Sequence, residues 1–466
     1  MNTQTSRHAK KVESVQRAVD GFYKNGSKVR IYHGSTTTTR SPNLDMSKVV
    51  DISGLNEILE INVQERWALV EPNVAMDQLV DATLAFGLVP AVVPELPAIT
   101  VGGSVQGGAG ESSSFKYGCF HEICEEYEVV LGDGTVVMAS AHSNNDLFYH
   151  MPCTYGTMGI ITQVKIKLVP STTYINLSYV AVGSYAEATQ TIEKYTSMQA
   201  IDFVDGIMFS ATSGVIMVGV YADTSLPNFS TTHKFTDDWF YAHAQRVTRR
   251  GDEYQESMPI RDYLFRYDKG AFWVARNGFD MLNIPFNRMT RCVFSGLLKN
   301  RTLYTFLNAA KLSQSYLVQD VCIPSKNAVR ALEWTDNQTA IFPLWLCPLK
   351  PDLKYPFSPN YVNDTMVINI GVWGILDTNY EVFLQKHQAF ERAVKDFGGR
   401  KVLYGHVYAP AAKFWQSYDK NVYENTRLQL NANTIFPTLY EKVHVNERYK
   451  PSIGRGIWAV LKSLRI

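Results

Sequence analysis

The stretch ITVGGSVQGGAGESSSFKYGCF, residues 99–120, decides how the rest of the chain is read. Gly102, Gly103, Gly107, Gly108 and Gly110 leave almost no side-chain bulk, and Glu111 and the hydroxyls of Ser112, Ser113 and Ser114 follow directly. Glycine lets a backbone turn with positive φ and brings its N–H groups close to a ligand. Such donors, feeding a turn or a helix start, hold an anion without any lysine. The stretch reads as a phosphate cradle. It contains neither G-x-x-x-x-G-K-[ST] nor a properly spaced G-x-G-x-x-G, and a glycine-rich surface loop has the same composition. The flanks must decide.

Upstream, Val12, Val15, Val19 and Phe22 fall at helical spacing, with Asn25-Gly26 as the stop. The strand KVRIY then runs into HGSTTTTRSPN, a turn of small residues and hydroxyls that offers a second anion contact or a polar connection. Strands are expected at VVDIS, EILEINV and WALVEPN, then a helix with Met76, Leu79, Val80, Thr83 and Leu84 on one face, ended by Gly87. Downstream, EEYEVVLGDGTVVMAS predicts a hairpin around Asp133-Gly134. In YGTMGIITQVKIKLVP, Gly156 and Gly159 flank a turn and a strand follows, closed by Pro170.

The G-S-T turn after an early strand, TVGG…GESSS…YG in the middle and YGTMGIITQVKIKLVP at the end together resemble the flavin-binding domain of the vanillyl-alcohol-oxidase or PCMH type. The resemblance narrows with VEPNVAMDQL, VPELPAITVGG and NDLFYHMPCTYGTMG, and far downstream with LVQDVCIP, FPLWLCP, LYGHVYAPAAKFW and FPTLYEKV. These are similar to the Δ24-sterol reductase branch, over roughly residues 10–445. The implied fold is α+β: an FAD-binding domain of two α/β subdomains at 1–170, a substrate cap at 171–400, and a segment 401–466 that returns to the flavin domain.

The resemblance implies FAD, with NADPH as reductant. Implied contacts are Gly34, Ser35, Thr36, Thr37 and Thr38 in the first turn, and Glu95. Along the cradle they are Thr100, Val101, Gly102, Gly103, Gly107, Gly108, Gly110, Glu111, Ser112, Ser113, Tyr117 and Gly118, and at the last turn Gly156, Gly159, Ile160 and Ile161. Backbone donors suit this role, because they hold phosphate charge without burying lysines beside an apolar ring. Many relatives bond flavin covalently through a histidine in the first turn. GSTTTT has none, so dissociable FAD is expected.

The implied reaction reduces an isolated side-chain double bond of a sterol or isoprenoid. It requires an acid in a dry pocket, with aromatic faces to tolerate developing positive charge. In LYGHVYAPAAKFW, Tyr404, His406 and Tyr408 alternate and would share one face of a strand, which makes them candidate donors. Tyrosines in a core and a satisfied histidine fit the same pattern. Glu95 and Glu111 are alternative acids, Glu111 being better suited to orienting the cradle. FPLWLCPL and WVARNGF would suit a sterol-sized slot or ordinary core. Arg246, Arg249, Arg250, Arg261 and Arg266 form either a solvated surface or a dock for an NADPH phosphate.

Bulk properties agree. With 466 residues, two or three domains are expected, and a formal net charge of +1 gives no reason to expect nucleic acid as partner. The cysteines, Cys119, Cys124, Cys153, Cys292, Cys322 and Cys347, have no metal-ligand spacing, so no metal site and free thiols are expected. MNTQTSRHAKK lacks the apolar core of a signal peptide, and no apolar run reaches the roughly 20 residues of a bilayer span. A cytoplasmic location is expected, with contact at a membrane surface and oligomeric state left open. Two readings compete with the reductase: an oxidase of an alcohol or specialised metabolite on the same fold, and a non-catalytic sterol- or flavin-binding protein.

Overall fold

The computed structural model describes residues 3–34, 40, 44–249, 254–281, 283–294, 300–376 and 378–463. The amino-terminal helix, Thr3–Lys24, buries Val12, Val15 and Val19 in the main core and stops where Gly26 takes a φ of +61°. Its polar side is pinned too. His8 Nδ1 lies 2.8 Å from Glu71 Oε1 and Nε2 lies 3.1 Å from Glu128 Oε1, while Lys11 donates to Glu71 Oε2 at 2.9 Å.

A first antiparallel sheet runs in the order Ile58–Asn62, Trp67–Val70, Ile160–Pro170, Cys124–Val130, Val136–Ser140, and Leu88–Pro90 pairs with the far end of Ile160–Pro170. The hairpin turns at Asp133-Gly134, with Gly134 at φ +85°. The strand Arg30–Tyr32 forms a separate parallel pair with Val49–Asp51.

A second antiparallel sheet runs in the order Tyr254–Pro259, Tyr174–Val182, Ser213–Ala222, Phe203–Ser210, Leu344–Leu349, Val367–Ile375, Tyr316–Pro324, Arg400–Lys401. Its side chains sort by the two-residue period of a strand. Leu317, Val321, Ile323, Leu344, Leu346, Ile368, Ile370 and Val372 share a core with the helices Tyr185–Thr196, Ser325–Thr339 and Tyr380–Asp396. The intervening Val318, Asp320, Cys322, Trp345, Leu349, Asn369 and Trp373 face the other way, onto a cavity. Between the sheets, Val204 N–H donates to Ser112 carbonyl at 2.8 Å and Lys350 N–H to Ser114 carbonyl at 3.0 Å.

The carboxy-terminal part packs back on the first sheet. Val29 N–H donates to Ile435 carbonyl at 2.8 Å, and Gly132 N–H to Leu430 carbonyl at 3.0 Å. Arg427, buried, donates to the carbonyls of Phe436 at 2.8 Å, Pro437 at 3.1 Å and Ala432 at 3.2 Å. The strand expected in LYGHVYA does not form. Beyond Lys401 the chain turns, and only an isolated bridge between Val407 and His444 remains. Without a ladder to enforce alternation, Tyr404, His406 and Tyr408 do not share a face.

Candidate active site

Thr100 starts the cradle helix Val101–Gly107, its Oγ1 accepting from Gly103 N–H at 3.2 Å, and Gly108 ends it at φ +65°. The glycines divide by what a Cβ would meet. At Gly102 it would lie 2.7 Å from Pro72 Cβ, at Gly108 2.8 Å from Cys153 Sγ, and at Gly110 2.8 Å from Leu349 Cδ2. These positions are glycine for packing. At Gly107 the nearest atom would be Tyr155 Oη at 3.9 Å, so this position is open. Gly103 and Gly107 both line the cavity.

The last turn belongs to the same place. Gly156, at φ +74°, donates its N–H to Gln106 Oε1 at 3.0 Å. Gly159 packs flat against Val129, 2.8 Å from a Cβ position, and Ile160 and Ile161 enter the core of the first sheet. Glu111 serves its own loop: Oε2 accepts from Ser112 Oγ at 2.6 Å and Oε1 from Ser113 N–H at 2.9 Å. Ser113 Oγ donates to Ala91 carbonyl at 2.7 Å. Tyr117 and Gly118 close the next turn, with Gly118 at φ +81°. Gly34 stands at φ +82°, whereas Ser35, Thr36, Thr37 and Thr38 lie outside the described residues.

The cavity measures about 200 Å³ and is partly open to solvent. Its floor is Glu95, Leu96, Ile99 and the cradle from Gly103 to Gly110; its roof is the second sheet; the helix Asn300–Ala310 walls one side with Leu303, Tyr304, Leu307 and Asn308. Phe272, Trp345 and Trp373 form an aromatic wall, with ring centroids 4.5 Å apart for Phe272 and Trp373 and 5.3 Å for Phe272 and Trp345. Glu95 is buried here, its Oε1 without a hydrogen-bond partner among the described residues. Burial, and next the charge of Glu111, pushes the Glu95 carboxyl well above the usual range.

One polar cluster interrupts the roof. Asp320 Oδ1 accepts from Asn369 Nδ2 at 2.9 Å, and Oδ2 accepts from Trp373 Nε1 at 3.2 Å and from the Tyr404 hydroxyl. Trp373 Nε1 also lies 2.9 Å from Tyr404 Oη. Burial pushes the Asp320 carboxyl up to about 6, against these hydrogen bonds, which pull it down. Tyr404 is raised well above the usual phenol range by burial and then by the Asp320 charge. Of the alternating trio only Tyr404 lines the cavity. Tyr408 packs against Phe383 and His387 in the core behind the second sheet, and His406 lies between Tyr408 and Tyr449. Asp320 was missed in the sequence, although it is the one carboxylate in the apolar strand YLVQDVCIP.

Three of the tract's five arginines are paired within the chain. Arg266 is fully buried, 3.1 Å from Asp205, with its guanidinium 4.0 Å from the centre of the Tyr263 ring. Arg246 pairs with Asp238, and Arg261 with Asp81 at 2.5 Å. Arg250 lies outside the described residues. Among the described residues no group of three or more His, Cys, Asp or Glu side chains could hold a metal, and the six cysteines are unpaired.

Comparison with known proteins falls on this same frame. Residues 6–140 match the family model described as an FAD binding domain. The chain is 28% identical to human Delta(24)-sterol reductase over 94% of its own length and 86% of the relative's. It is similar to the Delta(24)-sterol reductases over nearly its whole length. The Delta(24)-sterol reductase of Pisum sativum is 28% identical over 92% of the chain and 83% of its own length, and the Caenorhabditis elegans Delta(24)-sterol reductase homolog is 26% identical over 95% and 89%. As in the expectation from its motifs, the chain has an α+β fold with an FAD-binding domain. The residues present fit that cofactor. Gln106 Nε2 and Tyr155 Oη are buried at the cradle with no hydrogen-bond partner among the described residues. Beside the open Gly107 backbone, they are donors awaiting an acceptor-rich ligand.

Proposed function

We propose that this chain is an FAD-dependent reductase of an isolated carbon–carbon double bond in a sterol or related isoprenoid side chain, with NADPH as the electron source. The observation that carries this reading is that the glycine cradle and the Asp320–Tyr404 pair open onto one cavity, between a glycine-rich floor and an aromatic roof. When bound, FAD supplies the hydride. Gly103, Gly107, Gln106 and Tyr155 would hold it.

An alkene without a conjugated carbonyl must be protonated at one carbon while the other becomes electron-deficient. A phenol above its usual pKa is a poor acid alone. Asp320, titrating near 6, resolves this. As Tyr404 passes its hydroxyl proton to the alkene carbon, it takes the proton of neutral Asp320. The charge ends on a carboxylate that Asn369 and Trp373 already hydrogen-bond. Phe272, Trp345 and Trp373 present ring faces that favour positive charge on the neighbouring carbon. The buried carboxyl of Glu95 on the floor, pushed above its usual range by burial, favours a second reading, in which it is the donor.

The test is anaerobic. On mixing FAD-loaded protein with NADPH, the flavin absorbance should bleach promptly, and adding a Δ24-sterol such as desmosterol should restore it with a product two hydrogens heavier by mass spectrometry. Bleaching by an organic substrate but not by NADPH would point to an oxidase. Sterol binding without turnover under any reductant would point to a binding protein.

A further inference from the structure

The helix Ile453–Ser463 lies against the back of the cavity wall. The Cβ position of its Gly456 is 2.7 Å from Phe306 and 2.9 Å from Ala310, a fit only glycine allows. Phe306 and Ala310 belong to the helix Asn300–Ala310, whose Leu303, Tyr304 and Leu307 line the cavity. One helix therefore separates Ile453–Ser463 from the substrate space.

The opposite side of Ile453–Ser463 is apolar and open. Ile453, Ile457, Trp458 and Leu461 are 46%, 51%, 65% and 53% exposed, at spacings that place them on one side of a helix. The earlier helix Arg288–Phe294 exposes Met289 and Val293 at 77% and 71%. Charge is arranged to match. Residues 448–466 contain five Lys or Arg and no Asp or Glu, and residues 281–319 likewise contain five and none, in a chain of net charge +1. Of these, Arg291 is occupied by Asp238 at 2.7 Å. Lys462 lies 5.4 Å from the centre of the Trp458 ring, basic head beside apolar face.

We propose that the exposed face of Ile453–Ser463 docks on the surface of an anionic lipid bilayer. An exposed tryptophan and aliphatic side chains, on a helix whose own stretch of sequence carries cations and no acids, are what a helix lying in a headgroup layer requires. A second copy of this chain is a poor occupant, because two such faces would oppose like charges. No helix among the described residues is long and apolar enough to cross a membrane, so attachment here would be at the surface. Docking itself does not depend on the proposed reaction. Its use, delivering an alkene from lipid across the wall helix to the cavity, rests on that reading.

The experiment is flotation of the full FAD-loaded chain with phosphatidylcholine vesicles, with and without phosphatidylserine. The chain should float with the phosphatidylserine vesicles, less with phosphatidylcholine alone, and less again at high salt. Trp458→Glu and Ile457→Glu should each lower the partition coefficient at least about tenfold, with FAD content and thermal midpoint unchanged. Lys462→Glu should weaken binding at low salt only. No flotation with any vesicle overturns the proposal, as does equal flotation of the Trp458→Glu chain. A wild-type dimer that Ile457→Glu converts to monomer would assign the face to a second copy and also overturn it. A chain that floats but reduces no Δ24-sterol leaves docking standing and removes the functional reading.

Discussion

Asp320 and Tyr404 divide one task between them, and pH separates their parts. If neutral Asp320 is the proton source, turnover should fall tenfold per pH unit above about 6, as its carboxyl ionises. Tyr404→Phe should lower the rate of alkene reduction by about 10²–10⁴-fold, with reduction of bound FAD by NADPH unchanged. Asp320→Asn should be slow and should lose the limb near pH 6. Stopped-flow measurement of each half-reaction across pH separates these outcomes. If Glu95 donates instead, Glu95→Gln takes the loss and Tyr404→Phe turns over normally.

At the scale of the element, the cradle shows that its glycines have different purposes. Gly107→Val adds bulk where the nearest atom is Tyr155 Oη, in the space a ligand backbone contact would need. It should fold normally and retain less FAD, read as flavin absorbance per protein after gel filtration. Gly108→Val forces a β-branched side chain into φ +65° and against Cys153 and Pro359, and should cost about 1–3 kcal/mol or more of stability by urea unfolding.

The amino-terminal helix has a pH-dependent clasp. Burial lowers the His8 pKa, but Glu128 and Glu71 outweigh it and raise the ring to about 9 from 6.5. A raised cationic pKa stabilises the fold fully below 6.5, and that contribution fades as pH climbs through 9. By linkage it is worth about 3 kcal/mol. The thermal midpoint of the wild type should exceed that of His8→Gln at pH 6 and converge on it above pH 9, by calorimetry.

At the scale of the whole molecule, the absence of a histidine from GSTTTT should leave FAD dissociable. Acid precipitation should put the flavin quantitatively in the supernatant; yellow colour in the pellet would contradict this. The cradle was legible in sequence because glycine there answers a local demand, whether positive φ at Gly108 or close approach at Gly102. The hairpin at Asp133-Gly134 was legible for the same reason. Asp320 was not, because a lone carboxylate in an apolar strand can face either way. Only the register of Tyr316–Pro324 against Val367–Ile375, which sets Asp320 beside Gly371 and near Asn369 and Trp373, turns it onto the cavity. The alternation of Tyr404, His406 and Tyr408 misled because two-residue periodicity means nothing without a partner strand. The buried Arg266–Asp205 pair was equally invisible, since charge in a sequence reads as surface.

The way residues 427–436 close over the first sheet bears on how the protein is made. The cradle at 100–110 leaves the ribosome early, but Tyr316–Pro324, Val367–Ile375 and Tyr404 roof it, and the chain around Ile435 braces the strand that leads into Gly34. A chain that ends near residue 400 already holds both roof strands but lacks Tyr404 and the brace on the strand that leads into Gly34, so the acid pair and that brace are completed by the same last stretch of the chain.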